Sequence, residues 1–356
     1  RRHPGRTANT NEHSPPEGNS IYVQGLAEST DRANEDIAYR INNAIPIGIT
    51  WEKPLDGGVR HAVALNPEPD YEIAADEQLV LIARGLTVNC RPAENSFAST
   101  LAREGGGHTR VPHRVLLIGW TDMIHDILTE LNAHALSGTA ITVLSMLTRE
   151  EAYGRIRQRE TAALPNLELE FIEGDATRAT AYVDIALDTY QSIVVFADDH
   201  GEAGDVDTLT LRTLLRLSDL RKYDQQQAHT VVELVDEANR ELIAGLGVDD
   251  VIISPATVSA QLAQIARQST LGPIYRELLS AGGVEISLRP ASDYVEQDVD
   301  CCFNDLTYAA QKKLEIALGV RLFGNGGELV LNPPRDKTWR FTEHDQVIVL
   351  AQQLYQ

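Results

Sequence analysis

The chain has 356 residues, 43% of them hydrophobic, with 52 acidic against 31 basic side chains and a formal charge of −21. That is enough apolar material for two or three domain cores. The acidic balance argues against nucleic-acid binding and against docking on anionic lipid, both of which need clustered Lys and Arg.

Three cysteines, Cys90, Cys301 and Cys302, fit a reducing compartment and form no CxxC or zinc spacing. No window approaches the roughly 18 consecutive apolar residues of a membrane span, and no signal peptide is present, so direct membrane insertion is not expected. The sequence starts at Arg1 and has methionine only at Met123 and Met146. It reads as a piece of a longer protein.

Residues 1–19 are polar, contain proline and lack periodicity, which predicts a disordered lead-in. A small α+β unit is expected over 20–85. In it "DRANEDIAYRINNAI" reads as helix, "PIGITW" as strand, "GGVRHAVALNP" as turn and strand, and "DEQLVLIARG" as a closing strand. Residues 86–112 read as a linker around the Gly105–Gly107 run.

From 113 the pattern changes. Apolar, β-branched strands at 114–118, 140–145, 168–172, 192–197, 229–235 and 250–254 alternate with helical stretches, clearest at 121–134 and 207–219. This predicts an α/β fold with a Rossmann-like doubly wound parallel sheet covered on both faces. After the last strand, "PATVSAQLAQIARQSTLGPIYRELLSAG" reads as two helices broken at Gly272–Pro273. Val258, Leu262 and Ile265 give the first helix an apolar stripe, offering a packing or dimerisation surface. Residues 113–285 are taken as one lobe, and 286–356 as a final α+β lobe.

The two ends of the chain are alike. "LNPEPDYEIAADEQLVLIA" (65–83) matches "LNPPRDKTWRFTEHDQVIVLA" (331–351): Leu-Asn-Pro, a polar stretch, an acid followed by Gln, then an apolar strand ending in Ala. Repetition with order preserved points to duplication. The sheet domain is bracketed by two copies of one small lobe.

Three places carry possible chemistry. Gly119 permits the tight strand-to-helix turn of a dinucleotide fold, but Thr121 and Ile124 replace the next two glycines of the fingerprint. Ser145 stands where such proteins put an acid for the ribose hydroxyls. Asp175, in "IEGDATR", falls at the carboxyl edge of the sheet, where ligands bind in this architecture; it also suits a helix cap. Gly119 and Asp175 therefore mark a nucleotide site that lacks most of its phosphate contacts. The third place is "DDHGEAGDVD", with Asp198, Asp199, Glu202, Asp205 and Asp207 and no basic residue among them. Crowded like charges are costly unless water or a cation screens them, and calcium accepts such oxygen shells. The plainer reading is a solvated loop with Asp207 capping the next helix. Glu233, Asp236 and Glu237 could join this edge or cap a helix of their own. No GxSxG, P-loop, HExxH or Cys–His arrangement is present, so no enzyme is expected.

The ordered set "HRVLLIGW", "ITVLS", "EGDAT", "SIVVFADD…DTLTLRTLLRL", "HTVVELVDEANRELI" and "DDVIISPATVSAQLAQIARQ" resembles an RCK domain, and most nearly that of the Castor/Pollux ion-channel family, over about residues 20–355. The resemblance implies tandem RCK domains. Residues 20–85 would be the C-terminal lobe of the first, 113–285 the Rossmann lobe and crossover helices of the second, and 286–356 its C-terminal lobe. It further implies a tetrameric ring on the cytoplasmic face of a channel, below a pore lying upstream, self-associated through helices at 255–281, with calcium as ligand. TrkA-type relatives sense NAD or ATP through a full glycine motif, from which Thr121, Ile124 and Ser145 depart. A nucleotide-sensing transport subunit, a nucleotide-dependent enzyme and a ligand-free scaffold are the alternatives.

Overall fold

The computed structural model describes residues 19–26, 34–55, 58–85, 111–158, 163–197, 206–222, 228–280 and 283–352. The chain divides into two compact units, one formed by Arg1–Gly107 with Ser269–Gln356 and the other by His108–Gln268.

The first lobe holds β1 (Ser20–Gly25), α1 (Asn34–Arg40), β2 (Ala44–Leu55), β3 (Gly58–Leu65) and β4 (Gln78–Ala83), an antiparallel sheet in the order β1-β4-β2-β3. The helix is shorter than the sequence suggests. Ala44 and Ile45 already pair with Ala83 and Ile82, so strand pairing takes over where helical spacing still runs on. Asn19, expected in the lead-in, is tied down by hydrogen bonds with Leu331 and Asn332.

The second unit is the doubly wound sheet. β5 (Arg114–Ile118), α2 (Ile124–His134), β6 (Thr139–Ser145), α3 (Arg149–Gln158), β7 (Leu167–Glu173), β8 (Ser192–Val195), α4 (Val206–Leu220), β9 (His229–Leu234), β10 (Asp250–Ile253) and α5 (Ser254–Arg267) follow in chain order. All six strands are parallel, in the order β10-β9-β8-β5-β6-β7. Strand order reverses between β5 and β8, the switch point at which such sheets open a cleft. Leu116, Ile118, Ile193 and Val195 enter one apolar cluster, and Val115, Leu117, Ile141 and Val143 the other. Both faces of the sheet are therefore covered.

The chain then returns to the first unit with α6 (Leu271–Leu278), β11 (Val284–Pro290), β12 (Asp300–Cys302), α7 (Phe303–Gln311), β13 (Glu315–Leu322), β14 (Glu328–Leu331), β15 (Thr338–Arg340) and β16 (Gln346–Gln352). The helix break falls at 268–270, not at Gly272–Pro273. Pro273 sits in the first turn of α6, where its missing N–H costs nothing. α6 packs on β3 and β11 and buries Leu271 and Ile274, so it belongs with the small lobes and not with the parallel sheet.

The duplication is visible in the backbone. β11-β16-β13-β14 repeats β1-β4-β2-β3, and each sheet carries one bulge, at Pro46/Gly48 and at Ala317/Gly319. A Cβ on either bulge glycine would collide with a carbonyl of the neighbouring strand, Ala64 O or Val330 O. The asparagine of each Leu-Asn-Pro is left-handed (φ 49° and 47°), a conformation that asparagine tolerates better than most residues. The acid of each acid-Gln pair closes the turn before the last strand: Glu77 accepts from Ala74 N at 2.8 Å and Asp345 from Thr342 N at 2.8 Å.

The lobes grip each other with the same residues. Asn66 Nδ2 donates to Leu314 O at 2.7 Å, and Asn332 Nδ2 to Asn43 O at 3.1 Å. Each acceptor lies one residue ahead of its lobe's second strand. The exchange is reciprocal, as in a two-fold dimer whose halves were joined by duplication.

Overpacking at the bulge is the expected failure point. Gly319→Ala should cost about 1–3 kcal/mol in a urea unfolding titration. Gly324→Ala, whose Cβ would meet nothing within 4 Å, should leave the midpoint unchanged.

Candidate ligand site at the sheet edge

The carboxyl ends of β5, β6, β7 and β8 converge on a cleft of about 440 Å³ whose lining includes Gly119, Ser145, Asp175, Thr177, Phe196 and Thr210. Gly119 has φ 92° and donates its amide to Leu144 O at 2.9 Å, so the strand end is closed by a left-handed turn. The turn is then filled from within. Trp120 and Ile124 are buried in the core beneath it, and the Thr121 hydroxyl accepts from Met123 N at 3.3 Å. An amide that could face a phosphate is thereby satisfied inside the chain. Ser145 is buried, with Oγ accepting from Leu147 N.

Asp175 closes a turn of its own and does not cap an α-helix: the following helical turn begins only at Ala179. Its carboxylate accepts from Thr177 Oγ1 (2.7 Å), Thr177 N (3.0 Å) and Arg178 Nε (3.0 Å). The Thr177 hydroxyl leads in holding the Asp175 carboxyl below the usual range, with burial opposing. Gly119 and Asp175 are thus brought to one cleft, as their positions at strand ends require. No lysine or arginine is among the described residues that line it.

Asp198, Asp199, Glu202 and Asp205 lie outside the described residues. Asp207 is described, and it is 1% exposed in the first turn of α4. Its two oxygens accept from Val235 N (2.8 Å), Asp236 N (3.0 Å) and Asn239 Nδ2 (2.7 Å). It ties α4 to the end of β9.

Glu233, on β9, accepts from Ala197 N at 3.3 Å and from Ser254 Oγ at the start of α5. The acidic stretch is therefore pinned by a carboxylate at each end, Glu233 just before Asp198 and Asp207 just after Asp205. Asp236 caps the turn Glu237–Ile243 through Ala238 N, and Glu237 pairs with Arg240. Glu233's role was not legible in the sequence, since it rests on which strand ends are neighbours in space. Among the described residues no group of three His, Cys, Asp or Glu could hold a metal. None of the helices described is long and apolar enough to cross a membrane.

With this geometry in hand, comparison with known proteins is informative. No family model matches the chain. The probable ion channel POLLUX of Arabidopsis thaliana is 23% identical, across 94% of this chain and 44% of that protein. The ion channel DMI1 of Medicago truncatula is 24% identical, across 94% and 41%, and the ion channel CASTOR of Lotus japonicus 24%, across 88% and 40%.

Over most of its length the chain is similar to the CASTOR and POLLUX ion channels.

It spans less than half the length of these curated relatives. The human SLO3 gating ring superposes with a TM-score of 0.60 at 12% identity, covering 95% of this chain and 67% of that one. The chain thus shares the fold of that gating ring, with a Rossmann-like sheet and two small α+β lobes.

Because three donors converge on one buried carboxylate, Asp207→Ala should lose about 3 kcal/mol of stability. Asp207→Asn, which keeps one acceptor oxygen, should fall between the two. Thermal unfolding followed by circular dichroism checks the order.

Proposed function

We propose that the chain is the ligand-sensing part of a channel's cytoplasmic gating ring, coupling calcium binding in the acidic loop to opening of a pore elsewhere in the protein. The observation that carries the reading is the doubly pinned loop. Glu233 and Asp207 fix the two ends of a segment rich in Asp and Glu at the carboxyl edge of β8. Asp198, Asp199, Glu202 and Asp205 are the calcium ligands in this proposal. Asp207, with its oxygens taken by protein donors, anchors the loop. A divalent cation relieves carboxylate repulsion only where the carboxylates converge, so it favours one arrangement over another, as a switch requires. Glu233 also takes the hydroxyl of Ser254, so the root of the loop is joined to the first residue of α5.

α5 is where subunits would meet. None of its residues is buried, and Val258 and Leu262 are 53% and 63% exposed. α6 turns its apolar face inward, which restricts the self-association surface expected over 255–281 to α5. A ring of four such chains beneath the pore is the assembly this reading requires. NAD or ATP control is disfavoured by the filled turn after Gly119 and the absence of Lys and Arg from the described cleft lining. The reading assigns no catalysis.

Calorimetric titration after chelation, with calcium, magnesium, NAD and ATP in turn, tests the ligand. Calcium alone should give binding heat, and Asp198→Asn with Asp199→Asn should abolish both that heat and any calcium-dependent change in assembly. A double variant that still responds to calcium, or nucleotide heat without calcium heat, would refute the assignment.

Assembly has its own test. Leu262→Glu should weaken self-association in sedimentation velocity by at least about tenfold, with the circular dichroism spectrum unchanged.

A further inference from the structure

The grip between the two small lobes is not reciprocal at Arg335. Matching Leu-Asn-Pro to Leu-Asn-Pro sets Arg335 opposite Pro69. Arg335 is 6% exposed and crosses to the other lobe, donating Nε to Ile41 O (3.1 Å), Nη2 to Ala44 O (2.8 Å) and Nη1 to Thr307 Oγ1 (3.2 Å). Pro69 sends nothing back. On its side a cleft of about 650 Å³ stands open, walled by Ile45, Pro46, Pro67, Pro69 and Ile316, with Arg335 among the polar groups in its lining.

Arg335 forms no ion pair with a carboxylate among the described residues. Burial lowers its pKa to about 10, still far above neutrality, and all three oxygens it meets are uncharged. Phe303 lies beneath the guanidinium at 5.3 Å. A buried cation held by dipoles alone attracts an anion strongly, because little water screens it.

The other lining groups are consistent with that. Gln311 spends its carbonyl on the Tyr39 hydroxyl at 2.5 Å, which leaves its amide N–H groups as donors. Glu315, also in the lining, is neutralised by Arg289 at 3.1 Å and by the Tyr294 hydroxyl. Glu68 is exposed at the rim.

We propose that the cleft between the duplicated lobes is a binding site for a small organic acid with an aliphatic body, its carboxylate toward Arg335 and Gln311 and its chain against the proline and isoleucine wall. Apolar walls with a few converging polar groups are the usual makeup of small-molecule sites. The site is independent of the acidic loop and of the parallel sheet. It arose where duplication left an arginine on one lobe without a counterpart on the other.

The test uses the whole chain and three probes of one chain length: hexanoate, hexan-1-ol and hexylamine, titrated by NMR on ¹⁵N-labelled protein. Hexanoate should bind with Kd on the order of 1 mM, shift the Gln311 side-chain amide, and exceed the alcohol and the amine by at least about tenfold. Pro69→Trp, a change at the half-buried wall, should weaken hexanoate by at least the same factor. Arg335→Met, where it folds, should remove the preference for acid over alcohol; where it does not fold, Pro69→Trp decides. Equal affinity for acid and alcohol, tighter binding of the amine, or hexanoate binding indifferent to Pro69→Trp would each overturn the proposal.

Discussion

Two asparagines in left-handed backbone hold the small lobes together, and the architecture of that unit follows from them. A four-stranded sheet with a single helix offers one apolar face and too little core to stand alone comfortably. Pairing two such sheets covers the faces but brings the carbonyls ahead of β2 and β13 to the junction. Asn66 and Asn332 answer those carbonyls across the junction while turning their own chains. One residue type does both tasks because its short amide tolerates positive φ and can still donate. The bulges at Gly48 and Gly319 are part of the same device. They let the neighbouring strand come close enough for its carbonyl to occupy the space of a missing Cβ.

The sheet unit is governed by carboxylates instead. Glu233 and Asp207 spend their charge on backbone amides, a hydroxyl and a side-chain amide. Such charge-assisted bonds are stronger than neutral ones. They also leave two negative charges flanking a loop that contains further acids and no Lys or Arg. The repulsion stored there is what gives a cation its leverage under the proposed function. The tie from Glu233 to Ser254 places the start of α5 within one side chain of the loop's root.

Much of this was legible in the sequence, and the failures are physical. The six parallel strands came from short β-branched runs because strands buried on both faces are continuous in hydrophobicity. The duplication came from Leu-Asn-Pro and acid-Gln, residues that make turns and so survive in sequence where the β-sheets they bound diverge. β1 and α7 carried no such punctuation and emerged only in the structure. The end of α1 was misjudged because strand pairing at Ala44 overrides local helical spacing, and Pro273 was taken for a breaker because spacing does not reveal which turn of a helix it occupies. Asp207 was counted with its acidic neighbours because spacing along the chain does not reveal that Val235, Asp236 and Asn239 converge on it. Arg335 has no sequence signature. Its meaning lies in a carbonyl pair nearly 300 positions earlier in the chain.

The turn after β5 explains what kind of Rossmann frame this is. A dinucleotide site needs three things there: backbone able to approach the pyrophosphate, free amides at the helix start, and an acid at the second strand for the ribose. Gly119 retains the first bend. Thr121 then turns its hydroxyl onto Met123 N, Trp120 and Ile124 fill the space beneath the helix, and Ser145 takes the place of the acid. Each change stabilises the turn without a ligand. A frame that completes its own phosphate turn no longer depends on nucleotide for order at that edge. The next strand end is different: β8 leads into the acidic segment between Ala197, held by Glu233, and Asp207. Under the proposed function the ligand-responsive position lies one strand along the switch point, at β8 and not β5, on the same kind of sheet.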